Sequence, residues 1–363
     1  MKKGIRKNTY IIIIVVLFLS ITIGYSYLFT NANMQLDVTV PKYTPKSNEI
    51  ASNMSKVAVS DNVSSDYVTG ENGIDFSQIS SDTNGKGIYM LSETANDPYP
   101  IYYYRGEADN RIIFAGFCWR IVRTTSTGGV KIIYDGEPDA NNYCKNTHNA
   151  TDIGTVTYNT TNNNNTYAGF MTGDANSELY EEVHSNLQDS NMKDFIDTWY
   201  EENLISYESK LEDTIWCNDR SVSTGTGIGS DDTEFGGFER ANIFKPTLAC
   251  INDNDKFTKS SSLGNTKLEH PIATITADEL IYAGAVYGTA NEKFYLHSGQ
   301  NYWTMTPAKM LSQQVYSYGV SYSGALDEMS INYTFAVRPT VSLGNNVSIT
   351  KGSGTQEDPF IVE

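Results

Sequence analysis

The sequence predicts an α+β domain held outside a membrane by one apolar helix and an extended stalk. Three observations carry this expectation. An almost unbroken apolar run from Tyr10 to Phe29 follows a basic N-terminal tip. Beyond it, β-prone runs come early, an amphipathic helical stripe lies in the middle, and β-prone runs return late. Four cysteines, an even number, all fall after the apolar run.

Lys2, Lys3, Arg6 and Lys7 precede the apolar run, and no acidic residue occurs in the first thirty positions. About 20 residues rising ~1.5 Å each span the ~30 Å hydrocarbon layer. The cationic flank keeps the N-terminus in the cytoplasm, so the rest is exported and the protein is a single-pass component of the cell membrane. Thr30-Asn31-Ala32 offers a cleavage site that would begin the mature chain at Asn33, but the apolar run is longer than the ~7–15 residues of a signal peptide. An uncleaved anchor over residues 1–30 is therefore the expectation. Residues 31–70 are rich in Ser, Thr, Asn and Val, carry Pro41 and Pro45, and lack an amphipathic period; they read as a stalk. Residues 71–363 read as one extracellular domain.

Within that domain, Ile88–Leu91 and Ile101–Tyr104 are short β-prone runs. The stretch Ile112–Arg123 then reads as a strand leading through Ser126-Thr127-Gly128-Gly129 into Val130–Tyr134, a hairpin signal. Asn141–Asn165 is Asn- and Thr-rich and reads as a loop tied by Cys144. Met192, Phe195, Ile196, Trp199 and Leu204 fall at helical spacing, with Asp194, Asp197, Glu201 and Glu202 expected on the solvent side. Thr276-Ala277-Asp278-Glu279 has the form of a capping box. Val222–Glu234 reads as a Gly- and Ser-rich loop. Tyr302–Met305, Gln314–Gly319 and Phe335–Leu343 read as closing strands.

The chain carries a net charge of −17; removing the four cations of the first thirty residues leaves −21 for the exported part. That charge argues against nucleic-acid binding and against close approach to anionic headgroups. Cys118, Cys144, Cys217 and Cys250 lack metal-ligand spacing and neighbouring histidines, and local closure favours Cys118–Cys144 and Cys217–Cys250 among three pairings. His148, His184, His270 and His297 have no spacing that suggests a metal face. No H-E-x-x-H, G-x-S-x-G or P-loop occurs, so no catalytic residue, metal or cofactor is nominated. Asp253-Asn254-Asp255 and Glu137-Pro138-Asp139 have a passing likeness to calcium motifs, and both read better as turns.

Tyr102–Gly106, Phe114–Arg123, Cys217–Ser221, Ile275–Glu279, Asn301–Pro307, Val337–Pro339 and Gly352–Phe360, taken as a set, resemble an uncharacterised group of Firmicutes surface proteins over residues 71–363. That group is similar in pattern to C-type-lectin-like domains and formylglycine-generating enzymes. The resemblance implies a mixed sheet holding the Phe114–Val122, Trp303 and Arg338 strands, with a ligand surface made by loops; Asn141–Asn165, Val222–Glu234 and Gln313–Ser330 are the candidates. No cysteine follows Cys250, where the oxidases of that fold keep a reactive pair. Trp303, Arg338, Tyr302 and Arg105 are the candidate ligand contacts. The expected function is a membrane-tethered binding or adhesion module for a glycan or a host or matrix protein. The alternative is an extracellular enzyme using cleft carboxylates.

Overall fold

Two large, mostly antiparallel sheets, two small two-stranded ones and a few short helices make up a computed structural model that describes residues 50–54, 74–81, 85–91, 100–125, 127–145 and 150–362. All of these belong to one unit, Pro45–Glu363. The expected anchor, residues 10–29, lies outside the described residues, and among those described no helix is long and apolar enough to cross a membrane. Part of the expected stalk behaves otherwise than its composition suggests. Residues 50–54 are helical, and Ile50, Ala51 and Met54 join the hydrophobic core.

The first sheet has nine strands. Its main path runs Ile272–Thr274, Pro339–Leu343, Val130–Tyr134, Phe117–Thr124, Arg111–Phe114, Phe360–Val362 and Ile349–Lys351, with Ile101–Arg105 joined to Phe117–Thr124 and Gly87–Leu91 outside it. The run expected as a single strand over Ile112–Arg123 is a hairpin. It folds back at Ala115-Gly116, where both residues have positive φ (54° and 83°). Two central residues with positive φ match the right-handed twist of the flanking strands. The register that follows sets Phe114 against Phe117, Ile112 against Trp119, and Arg111 against Arg120.

The second sheet has seven strands, with Val222–Thr224, Thr233–Phe235, Tyr302–Leu311, Gln314–Val320 and Leu326–Ser330 in order, and Thr334–Ala336 and Thr155–Thr157 added beside Tyr302–Leu311. The Trp303 strand therefore belongs to a different sheet from Phe117–Thr124, against expectation. Arg338 sits where the chain passes from Thr334–Ala336 in one sheet to Pro339–Leu343 in the other. The expected joining of early and late chain does occur: Phe360–Val362 runs parallel to Arg111–Phe114.

The helix spans Asn191–Asn203, capped by Ser190, whose hydroxyl accepts from the Lys193 amide at 3.1 Å. Met192, Ile196 and Tyr200 are buried, and Trp199 packs its ring against Phe117 and Tyr134 at 5.4 and 5.5 Å. Asp197 is also buried rather than on the solvent side, because Lys193 one turn earlier meets it at 2.6 Å. Around Ala277–Ala283 the capping box forms in both directions: Thr276 accepts from the Glu279 amide and Glu279 accepts from the Thr276 amide. Both disulfides form as expected, Cys118–Cys144 and Cys217–Cys250, closing separations of 26 and 33 residues. In the chain-entropy picture each stabilises the fold by about 3.5 kcal/mol.

Candidate ligand-binding cleft

Trp303, Tyr302, Arg338 and Arg105 are not on a ligand surface; each is less than 2 % exposed. Trp303 donates its indole N–H to the Val156 carbonyl at 3.0 Å and packs between Tyr158 and Phe335. Arg338 lies 5.1 Å over the Tyr302 ring and donates to the carbonyls of Tyr134 and Leu296 and to Asp135, at 2.8–3.0 Å. Tyr302 itself donates to the Leu296 carbonyl. Arg105 donates to the carbonyls of Ile281 and Tyr282, at the C-terminal end of Ala277–Ala283, where the helix dipole favours a cation. Arg338 is buried with matched acceptors, and Arg105 is buried with both terminal nitrogens bonded to carbonyls and only its Nε without a partner among the described residues; such enclosed charges are structural elements, and the sequence expectation of ligand contact is corrected on that ground.

Of the three expected ligand loops, Gln313–Ser330 is largely strand, whereas Val222–Glu234 is a loop over residues 225–232 held between two short strands. Val222–Glu234 holds the paired Val222–Thr224 and Thr233–Phe235, and Gln313–Ser330 holds Gln314–Val320 and Leu326–Ser330. Asn141–Asn165 keeps more of its loop character, although Thr155–Thr157 pairs with Thr334–Ala336. The two turns that resembled calcium motifs separate. Asp139 accepts from the Asn141 and Tyr143 amides and is a turn, as expected. Asp255 is buried against Arg220 at 2.6 Å, so it is no solvated turn residue.

What the structure opens instead is a cleft of about 550 Å³ beside the Arg111–Phe114/Phe117–Thr124 hairpin, walled on its other side by residues 292–299. The hairpin register places Arg111 directly opposite Arg120 on one face. Like charges so opposed repel across a strand pair. Arg120 is buried; it donates to Asn110 Oδ1 at 2.6 Å and to the Ala108 carbonyl at 2.8 Å, and lies 5.2 Å over the Tyr295 ring. Burial pushes its guanidinium down to about 10, Asp135 works against that, and Arg111 and Arg338 add to it. Burial likewise lowers Arg111, against the pull of Asp135 and Asp109. The single buried acid among these arginines, Asp135, is raised by burial against the pull of Arg338, Arg120 and Arg111. Asp135 is already in an ion pair with Arg338 at 2.8 Å. Two polar groups remain over: Arg111 Nε and the Tyr295 hydroxyl are buried without a hydrogen-bond partner among the described residues.

A second polar pocket lies beside the Cys217–Cys250 bridge but encloses only about 50 Å³. Its charges are spent on one another. Glu279 meets Arg123 and Lys131 at 2.7 and 2.8 Å, and Arg240 meets Asp219 and Asp278 at 2.5 and 2.9 Å. Asp213 accepts three successive backbone amides, those of Lys259, Ser260 and Ser261. Carboxylates engaged in this way hold the fold.

The chain matches no family model, no curated protein and no solved structure to which it was compared. The cleft therefore rests on its own geometry.

Proposed function

We propose that this chain is a membrane-tethered extracellular binding module that takes an acidic glycan in the Arg111/Arg120 cleft. The observation that carries the reading is the pair of arginines opposed across a hairpin, with Arg111 Nε and the Tyr295 hydroxyl buried and unsatisfied in the wall of an open cavity. A carboxylate seated there would accept from Arg111 and Tyr295 once their side chains turn toward the cleft, and would relieve the repulsion between the two guanidiniums. The exported part carries −21, so a polyanion would be repelled at long range, whereas a glycan ending in one acidic sugar brings a single charge to the cleft. Two disulfides are compatible with an oxidising extracellular setting. A C-type-lectin-like arrangement is the finer reading of the fold, supported by the late strand Phe360–Val362 lying beside the early Arg111–Phe114.

A fragment spanning residues 45–363 on an array of neutral and acid-terminated glycans tests the reading. Acid-terminated glycans should be retained preferentially, and Arg111→Ala should weaken their binding at least tenfold. Equal retention of neutral glycans, or an unaffected Arg111→Ala, would overturn it.

A further inference from the structure

Glu201, Glu269 and His270 bring two carboxylates and an imidazole together at a place the cleft does not involve. Glu201 lies on the last turn of Asn191–Asn203, and Glu269 and His270 lead into Ile272–Thr274, the strand against which that helix packs. One ligand atom from each of the three residues falls within 4.8 Å of the others. Acidic groups gather on many surfaces, so the imidazole decides the matter. His270 has a side chain only 8 % exposed, stacked on Tyr200 at 4.5 Å with the rings 17° from parallel. Neither of its ring nitrogens has a hydrogen-bond partner among the described residues. Buried polar atoms are nearly always satisfied, and an imidazole with both nitrogens orphaned calls for an explanation.

Glu201 Oε1 stands 3.6 Å from His270 Nε2. That is too long for a hydrogen bond. It is, however, close to the spacing of two ligands on one ion. Zinc bonds of ~2.0–2.2 Å in a tetrahedron separate neighbouring ligand atoms by roughly 3.4 Å. The two glutamates are exposed, so their side chains can turn to bring the three ligand atoms, all within 4.8 Å of one another, onto one ion. The donor set also selects the ion. Calcium and magnesium take oxygen ligands, whereas imidazole with carboxylate suits zinc and its first-row neighbours. The geometry points to a divalent transition-metal site, of which zinc is the expected occupant, formed by Glu201, Glu269 and His270 with a fourth position open to water.

The test uses the full-length chain purified in mild detergent and stripped with a chelator. Titration with Zn²⁺ against a chromophoric chelator should give one site per chain, and Zn²⁺ should raise the melting temperature while Ca²⁺ does not. All four cysteines are in disulfides, so thiolates do not contribute to that stoichiometry. Glu201→Gln combined with Glu269→Gln changes only exposed groups and leaves the fold intact; it should weaken zinc binding at least tenfold and abolish the thermal shift. His270→Phe, which retains the stack on Tyr200, should do the same. Binding by the double glutamine variant as tight as in the wild type, no stoichiometric zinc on the wild type, or an equal response to Ca²⁺ would overturn the proposal.

Discussion

Replacing Lys131 by Met isolates the ion cluster beneath the second pocket. Glu279 is 1 % exposed in its side chain, and so is Lys131, which meets it at 2.8 Å; Arg123 meets the same oxygen at 2.7 Å. Burial alone would raise the Glu279 carboxyl, but Lys131 and Arg123 outweigh it and hold the group at about 2, from an ordinary value of 4.5. That gap corresponds to about 3 kcal/mol. Because the folded value is depressed, the stabilisation is fully present above about pH 4.5 and is lost as pH falls toward 2. Lys131→Met retains bulk against Trp216, whose ring centre is 5.3 Å from the ammonium, and removes the charge. It should cost about 3–5 kcal/mol at pH 7, the usual consequence of leaving a buried ion short of a partner. Urea unfolding of the oxidised chain at pH 7 and pH 3 is the assay. The difference between wild type and variant should shrink by about 2 kcal/mol at pH 3, where the unfolded carboxyl is already protonated. Lys131→Met with Arg123→Met and Glu279→Gln should recover part of the loss, since all three charges then leave together and the glutamine can still accept from the Thr276 amide. A cost below about 1 kcal/mol at pH 7, or a cost independent of pH, would refute the reasoning.

Two further substitutions separate structural arginines from available ones. Arg338→Met should destabilise the fold by about 3–5 kcal/mol in urea at pH 7, because it removes the ion-pair partner of buried Asp135 and the donor to two carbonyls, whereas a surface ligand contact would cost no more than about 0.5 kcal/mol. Arg111→Met should be neutral or stabilise by up to about 1 kcal/mol without ligand, since it removes a like-charge pair; a clear loss in thermal unfolding would show that Arg111 has a structural partner.

Local signals in the sequence were enough for the helix, the capping box and both disulfides. The spacing of Met192, Ile196 and Trp199 and the Thr276/Glu279 pair act over one or two turns, and local closure set the pairing of the cysteines. What was not legible depends on long-range placement. Trp303 and Arg338 stand on β-prone runs that look alike, and nothing local says that Tyr302–Leu311 joins one sheet and Pro339–Leu343 the other. Asp197 reads as a solvent-facing acid until Lys193, itself buried, is seen to claim it. The cleft lay closer to view. With Ala115-Gly116 as a two-residue turn, the antiparallel register sets Arg111 opposite Arg120 directly. The remaining wall, Tyr295 and its neighbours, comes from far along the chain and could not be counted from the turn.

Charge distribution links the interior to the cleft. Among the described residues the buried cations are Arg105, Arg120, Arg123, Lys131, Lys193, Arg220 and Arg338, and the buried acids are Asp135, Asp197, Asp219, Asp255, Asp278 and Glu279. Most stand in pairs at 2.5–3.0 Å, so the interior is close to neutral and the acidic excess of the chain lies toward solvent. A net-charge argument from composition is therefore an argument about the surface, and it disfavours extended polyanions such as nucleic acid. The cleft itself carries both signs: Lys86, Arg111 and Arg120 share its lining with Glu107, Asp109, Asp135 and Glu292. At physiological salt the field of remote carboxylates is screened beyond ~8 Å, whereas Arg111 and Arg120 would meet a seated acid at hydrogen-bond range. An acidic protein can thus hold an anion site, provided that the ligand carries its charge at one point and not along its length.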